Sequence, residues 1–245
     1  MPHVSVLVVT GTCTGVGKTV VTAAVAALAA ARGASVAVVK PGQTGVAPGE
    51  PGDLDDVRRL AAVTDLHECA RFPDPLSPAA AARRAGVPPL RLADVAARIR
   101  ALAETRDLVL VEGAGGLLVR YDDEGATIAD LARWLGAAAL VAVRPDLGTL
   151  NHTALTLEAM AHRGVQPAGL VIGRWPQEPD LAMRSNIRDL ETIAARPLAG
   201  ALPAGAGSLD PAEFLVAAHR SLAPALGGSF DPAAFRDTYG PKENP

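Results

Sequence analysis

The run Gly11-Thr12-Cys13-Thr14-Gly15-Val16-Gly17-Lys18-Thr19 restricts the fold more than any other feature of the chain. It directly follows a β-branched apolar stretch at 4–10 and opens an alanine-rich segment of helical period. Glycines in such a turn let backbone N–H groups converge on phosphate oxygens, helped by the positive end of the helix that follows. Lys18 is then placed to reach the β/γ-phosphates, and the Thr19 hydroxyl to coordinate Mg²⁺. The loop departs from the usual phosphate-binding pattern, because five residues rather than four separate Gly11 from Gly17. Its competing reading is a plain glycine turn between strand and helix.

The same strand–helix order recurs along the chain. Apolar runs at 4–10, 35–40, 108–112, 138–143, 168–172 and, more weakly, 198–202 alternate with helical candidates at 18–32, 53–63, 90–103, 127–136, 151–163, 180–195 and 210–223. The runs are apolar at consecutive positions, which suits strands covered on both faces. Such alternation implies right-handed crossovers and a mostly parallel sheet. The expected fold is α/β: a three-layer, mostly parallel central sheet flanked by helices, P-loop NTPase-like, formed by one domain over 1–245. The Pro- and Gly-rich segment 41–53 reads as a long loop, and 225–245 as a loosely held tail without a catalytic role.

Composition excludes several function classes. With 23 Lys+Arg against 26 Asp+Glu the net charge is −3, which argues against nucleic acid as the main partner. No apolar run approaches the ~18–20 residues needed to span a bilayer, so no membrane partner is expected. Cys13 and Cys69 make no disulfide framework. No basic residue precedes Lys18, and the first apolar run is short for a secretion signal, so the expected location is the cytoplasm.

Four further motifs carry chemistry. The strand 108–112 delivers Glu112 to its end, ahead of Gly113-Ala114-Gly115-Gly116, in the manner of a Walker B acid that holds Mg²⁺. Lys40, in Lys40-Pro41-Gly42-Gln43-Thr44-Gly45, ends the second strand. It reads either as a surface lysine or as a fixed positive charge over the phosphates. Asp53, in Gly52-Asp53-Leu54-Asp55-Asp56, is a first-turn helix acid or a second metal carboxylate. The segment Asp146-Leu147-Gly148-Thr149-Leu150-Asn151-His152 opens a helix whose free N–H groups could take a carboxylate or phosphate, unless Thr149 or Asn151 caps it.

In this order, Gly11-Thr12-x-Thr14-x-Val16-Gly17-Lys18-Thr19, Lys40-Pro41 with Thr44-Gly45, Val111-Glu112-Gly113-Ala114-Gly115-Gly116 and Leu147-Gly148-x-x-Asn151-His152 resemble the dethiobiotin synthetase family. The resemblance runs from the first strand to about Leu202. It implies an ATP- and Mg²⁺-dependent ring closure in biotin synthesis. One amine of 7,8-diaminononanoate takes up CO₂, the carbamate is phosphorylated, and the neighbouring amine closes the ureido ring.

Carried over by position, the resemblance makes Lys18 and Lys40 catalytic and gives Mg²⁺ to Thr19, Asp53 and Glu112. Thr14, Gly15, Val16, Gly17, Glu112 and Gly115 would meet the nucleotide. Thr14, Lys40, Thr44 and Gly115 would meet the diamine. It also implies a homodimer in which Leu147, Gly148 and Asn151 of one chain receive the substrate's tail carboxylate in the other chain's site. Gly15 stands where the family often has an acid. Gly173-Arg174-Trp175 stands where many members have an Asn that reads adenine, with Pro203 and Ala204 beside the base. A glycine has no side chain to read a base edge, so a relaxed choice of nucleoside triphosphate is expected. The competing function is a partner-regulated ATPase switch of the chromosome- or septum-positioning type, whose signature lysine falls where this chain has Cys13.

Overall fold

The computed structural model describes residues 6–241. Its elements follow one another as β1 (Val6–Gly11), α1 (Lys18–Ala31), β2 (Val36–Lys40), β3 (Gln43–Thr44), α2 (Asp53–Ala61), β4 (Leu66–Glu68) and β5 (Arg71–Phe72). There follow α3 (Pro78–Ala85), α4 (Leu92–Ala103), β6 (Leu108–Glu112), α5 (Ile128–Leu135), β7 (Ala138–Val143) and α6 (Thr149–His162). The described chain ends with β8 (Pro167–Trp175), α7 (Leu181–Ala194), β9 (Gly200–Pro203), α8 (Pro211–Ser221) and α9 (Pro232–Tyr239).

Seven strands form one parallel sheet in the order β4-β2-β6-β1-β7-β8-β9. From β1 the chain moves out to β2, returns to fill the gap with β6, and then continues on the other side with β7. The order reverses at β1, and in open α/β sheets that is where a crevice forms beyond the strand ends. Register sets what lines it. Val39 of β2 pairs with Val111 of β6, which brings the next residues, Lys40 and Glu112, to the same level. Val39 and Val111 both enter the core beneath α4 and α5. Side chains alternate along a strand, so Lys40 and Glu112 turn to the other face, where α1 begins.

Both faces are covered. One core gathers Val8, Val109, Val111, Val141 and Ile172 with Ile99 and Leu131. The other gathers Leu7, Val9, Leu110 and Leu140 with α1, Leu60 and Phe214. Helix α1 buries Ala23, Ala24, Ala26, Ala27 and Ala29, small side chains that let it pack closely beside the sheet, α2 and α8.

Two segments differ from the sequence expectation. Within the supposed loop 41–53, Gln43 and Thr44 pair in parallel with Arg71 and Phe72. Strands of two residues carry no readable period. Where a loosely held tail was expected, α9 is capped by the Asp231 carboxylate, which accepts from the N–H groups of Ala233 and Ala234. Phe230 is buried, and Phe235 and Tyr239 meet the Trp175 ring edge-on at 5.0 and 5.4 Å between ring centres. Such pairs contribute about 0.5–1.5 kcal/mol each beyond area burial. The first residues of the 4–10 run and the end of the tail, 242–245, lie outside the described residues. Among the described residues no helix is long and apolar enough to cross a membrane.

The tail contact is open to test. In a Trp134→Phe background, ending the chain at Ser229 should red-shift the remaining tryptophan emission and lower the thermal midpoint. Unchanged emission would mean that α9 does not cover Trp175.

Candidate active site

The glycine loop folds back over the start of α1, and its tightest point is fixed by β8. Gly17 takes φ +93°, a left-handed conformation suited to glycine, and caps α1 without any side-chain hydrogen bond. Gly173 lies so close that a Cβ on it would stand 2.0 Å from the Val16 carbonyl oxygen, and a Cβ on Gly17 would stand 2.7 Å from the Gly173 carbonyl oxygen. Backbone meets backbone here, so Gly173 is required by the loop's packing, whatever it does or fails to do toward a base. Val16 is buried in the core as the loop's anchor. The Lys18 ammonium reaches back to the Cys13 carbonyl at 3.1 Å.

At the cavity floor Lys40, 2% exposed, donates to Glu112 Oε1 at 2.7 Å and to the Gly113 carbonyl at 3.3 Å, and also pairs with Asp53 Oδ2. The Thr19 hydroxyl donates to the same Glu112 oxygen at 2.9 Å. The four groups expected to surround the triphosphate end and its metal are therefore in one hydrogen-bonded cluster, with Lys18 beside it. Burial alone would pull the Lys40 pKa down, but the Glu112 and Asp53 carboxylates outweigh it and hold the ammonium above the ordinary lysine value. Lys18 goes the other way, lowered by burial and by the neighbouring Lys40 charge. Asp53 is raised by burial but more strongly lowered by the charge and hydrogen bond of Lys40, and ends below the usual carboxylate value.

The oxygen donors around Lys40 match a divalent cation. Thr19, Asp53 and Glu112 offer hydroxyl and carboxylate oxygens, the ligands a hard cation takes. Glu112 Oε2 is buried with no hydrogen-bond partner, an uncommon state for a buried carboxylate oxygen and one that a cation would satisfy. Among the described residues no three His, Cys, Asp or Glu side chains form a metal site by themselves. These residues therefore fit a cation whose remaining ligands are phosphate and water, as Mg²⁺ prefers.

Above the cluster opens a cavity of about 940 Å³. Thr14, Gly15, Thr44 and Gly115 line it, and at one end so do Gly173, Arg174 and Pro203. Ala204 stands just behind Pro203, its N–H donating to the Trp175 carbonyl at 2.6 Å. Leu147, Gly148 and Asn151 do not line this cavity. Leu147 is 87% exposed. Gly148, at φ +94°, precedes the first residue of α6 and has no side chain to cap it, and the Thr149 hydroxyl donates away from the helix start to the Arg144 carbonyl at 2.7 Å.

Sequence reasoning missed two contributors. Tyr121 is fully buried, and its phenolic oxygen accepts from the Ala114 N–H at 2.7 Å, holding the turn after Glu112. Gln43 lines the cavity floor and accepts from the Asp53 N–H at 2.9 Å. Gln43 lies inside the Lys40–Gly45 motif but carries no role there that spacing reveals; for Tyr121 an isolated tyrosine in a chain with 3% aromatic residues was the available hint.

A family model described as an AAA domain matches residues 5–211. The chain is 66% identical to the ATP-dependent dethiobiotin synthetase BioD of Frankia casuarinae, over 95% of this chain and 98% of that protein. It is 57% identical to the protein of the same name from Streptomyces coelicolor, over 96% and 99%. Among solved structures it resembles the cell division ATPase MinD of Pyrococcus furiosus, with TM-score 0.52 and 18% identity over 82% of this chain and 83% of that one. It also resembles the septum site-determining MinD of Pyrococcus horikoshii complexed with Mg-ADP, with TM-score 0.54 and 15% identity over 81% and 80%. At such identities the structural likeness speaks for a P-loop NTPase-like fold alone.

Gly173→Ala should lower stability by about 1–3 kcal/mol, as overpacking does, and should weaken ADP binding by deforming the loop at Val16. Thermal unfolding and calorimetry check both. An unchanged midpoint would show that the two backbones do not approach as closely as described.

Proposed function

The chain belongs to the ATP-dependent dethiobiotin synthetase family and is an ATP-dependent cyclo-ligase of biotin synthesis; from this premise we propose that it makes dethiobiotin from 7,8-diaminononanoate, CO₂ and a nucleoside triphosphate. One amine nitrogen bonds to CO₂ and loses a proton, giving a carbamate. A carbamate oxygen attacks the γ-phosphorus as the bond to ADP breaks. The second amine then attacks the carbonyl carbon of the mixed anhydride, phosphate leaves, and a proton is lost as the ring closes.

The observation that carries this reading is the Lys40 ammonium, kept charged by Glu112 and Asp53 at the floor of the cavity beside the phosphate loop. A fixed cation there stabilises charge that develops on the carbamate and γ-phosphate oxygens with no reorganisation at the moment of transfer. Lys18 and the N–H groups at the start of α1 hold the β- and γ-phosphates. Thr19, Asp53 and Glu112 would hold Mg²⁺, which when bound supplies charge neutralisation between the phosphates. Thr14, Thr44 and backbone groups around Gly115 orient the diamine. Gly173, Arg174, Pro203 and Ala204 flank the base, and with no side chain at 173 a relaxed choice of nucleotide is expected.

The working unit we propose is a homodimer in which 147–151 of a second copy receives the substrate's tail carboxylate. Three observations support it: that segment lies outside its own chain's cavity, Leu147 is exposed, and the N-terminus of α6 is uncapped. The partner-regulated switch is not favoured. Its support is a fold likeness at 18% identity, against curated synthetases at 57–66%.

Incubation with diaminononanoate, ¹³C-bicarbonate, Mg²⁺ and ATP, read by mass spectrometry, should place one labelled carbon in dethiobiotin. Hydrolysis of ATP with no labelled ring would overturn the reaction proposed. Lys40→Gln, assayed well below its unfolding temperature, should cost roughly 10²–10³-fold in kcat while changing ADP affinity by about threefold or less. Equal losses in kcat and affinity would reduce Lys40 to a binding residue.

A further inference from the structure

Asp53 does not meet Lys40 by virtue of helix α2 alone. It is the first residue of that helix, and the chain reaches it through the loop 45–52, which leaves the sheet after Thr44. The Asp55 carboxylate accepts from the Gly52 N–H at 2.8 Å and the Glu50 carboxylate from the Ala47 N–H at 3.1 Å, and two further side chains tie the loop to the strands. Gln43 is 4% exposed, and its carbonyl oxygen accepts from the Asp53 N–H at 2.9 Å while its amide nitrogen donates to the Thr44 carbonyl at 3.3 Å. Arg71, the register partner of Gln43 in the small β3–β5 sheet, donates through Nε and one terminal nitrogen to both oxygens of Glu68, at 2.7 and 2.9 Å. Its other terminal nitrogen donates to the carbonyls of Ala47 and Glu50. Glu68 is in turn the register partner of Lys40. The end of β2 is thus tied to the loop by Glu68 and Arg71, and β3 to the first N–H of α2 by Gln43. Gly52 fits between them, since a Cβ there would stand 2.9 Å from the Gln43 oxygen and 3.0 Å from an Arg71 nitrogen.

We propose that Gln43 and Arg71 form a brace that positions the Asp53 carboxylate against Lys40, and that through Asp53 they set the metal affinity of the nucleotide-bound site. The inference rests on the reading of Asp53 as a metal carboxylate. Neither residue is catalytic: both act through the backbone that carries Asp53. A bidentate guanidinium–carboxylate pair fixes direction as well as distance. A buried side-chain oxygen that replaces water at a helix N-terminus holds the first turn in place. Outer partners of this kind typically change metal affinity or activity by roughly 10–100-fold when removed.

The test compares ADP affinity, measured by calorimetry, in EDTA and across a Mg²⁺ series for wild type, Gln43→Leu, Arg71→Gln and Asp53→Asn. The brace predicts that Arg71→Gln, which lies off the cavity, keeps wild-type ADP affinity in EDTA, which also reports a folded loop; Gln43→Leu, at the cavity floor, is referred to its own affinity in EDTA. Both should need about tenfold more Mg²⁺ for half of its effect, and Gln43→Leu should add nothing in an Asp53→Asn background. If Asp53→Asn shifts the Mg²⁺ requirement and neither brace variant does, the brace is overturned. If Asp53→Asn itself leaves the requirement unchanged, Asp53 is no metal carboxylate and the inference falls with that reading. If Gln43→Leu shifts it equally with and without Asp53, Gln43 acts by another route and the proposal is wrong. Should Gln43→Leu fail to fold, Arg71→Gln in the two backgrounds decides alone.

Discussion

The structure around the cavity depends on one buried lysine between two carboxylates. Taking an ammonium and a carboxylate out of water is costly, and their attraction repays the cost only when the geometry is good and the remaining polar atoms are satisfied. Lys40 meets these conditions with Glu112, Asp53 and the Gly113 carbonyl. Glu112 does not, because one of its oxygens has no partner. An unpartnered carboxylate oxygen in a buried cluster is costly, and a divalent cation is a group that would satisfy it. With Lys18 alongside, two ammonium groups face two carboxylates. Lys40 sits above the ordinary lysine value, so what it adds to folding is present below that value and fades as pH rises through its folded pKa. Asp53 sits below its ordinary value, so its contribution is present above that value and fades as pH falls. The neutral range lies between the two.

Backbone geometry puts the cluster where a phosphate would be. Parallel pairing of β2, β6 and β1 brings Lys40, Glu112 and the loop after Gly11 to one edge of the sheet. The reversal of strand order at β1 opens the crevice above them. The loop is then pressed from the other side by Gly173 at its contact with Val16 and Gly17. A residue that from sequence reads as a missing base contact is in the structure a place where only glycine fits.

The fold was legible wherever an element was long and covered on both sides. The run 138–143 coincides with β7 and 108–112 with β6, because buried parallel strands are apolar at every position. Between Val63 and Leu90 nothing was read, and β4, β5 and α3 all lie there. The two strands are three residues or shorter, and α3 is an alanine-rich helix of only eight residues, too short to establish a period. Helix α9 was missed for a related reason: eight residues and four aromatic contacts make a packed element without a readable period. Of the site, Lys18, Thr19, Lys40 and Glu112 were visible because their chemistry is tied to strand ends and a glycine loop. Gln43, Arg71 and Tyr121 were not, because they act on backbone groups that only the folded chain brings near them.

The chain holds three lysines, Lys18, Lys40 and Lys242, so a ¹⁵N-lysine-labelled sample gives few enough side-chain signals to follow one by one. Titrating them by NMR, with Lys18→Arg and Lys40→Arg variants for assignment, measures directly which charges the cavity floor sustains. Lys40 should stay protonated above the ordinary lysine range while Lys18 loses its proton below it. A Lys40 signal that titrates at or below the ordinary value would contradict the account, since the two carboxylates would then not be holding it.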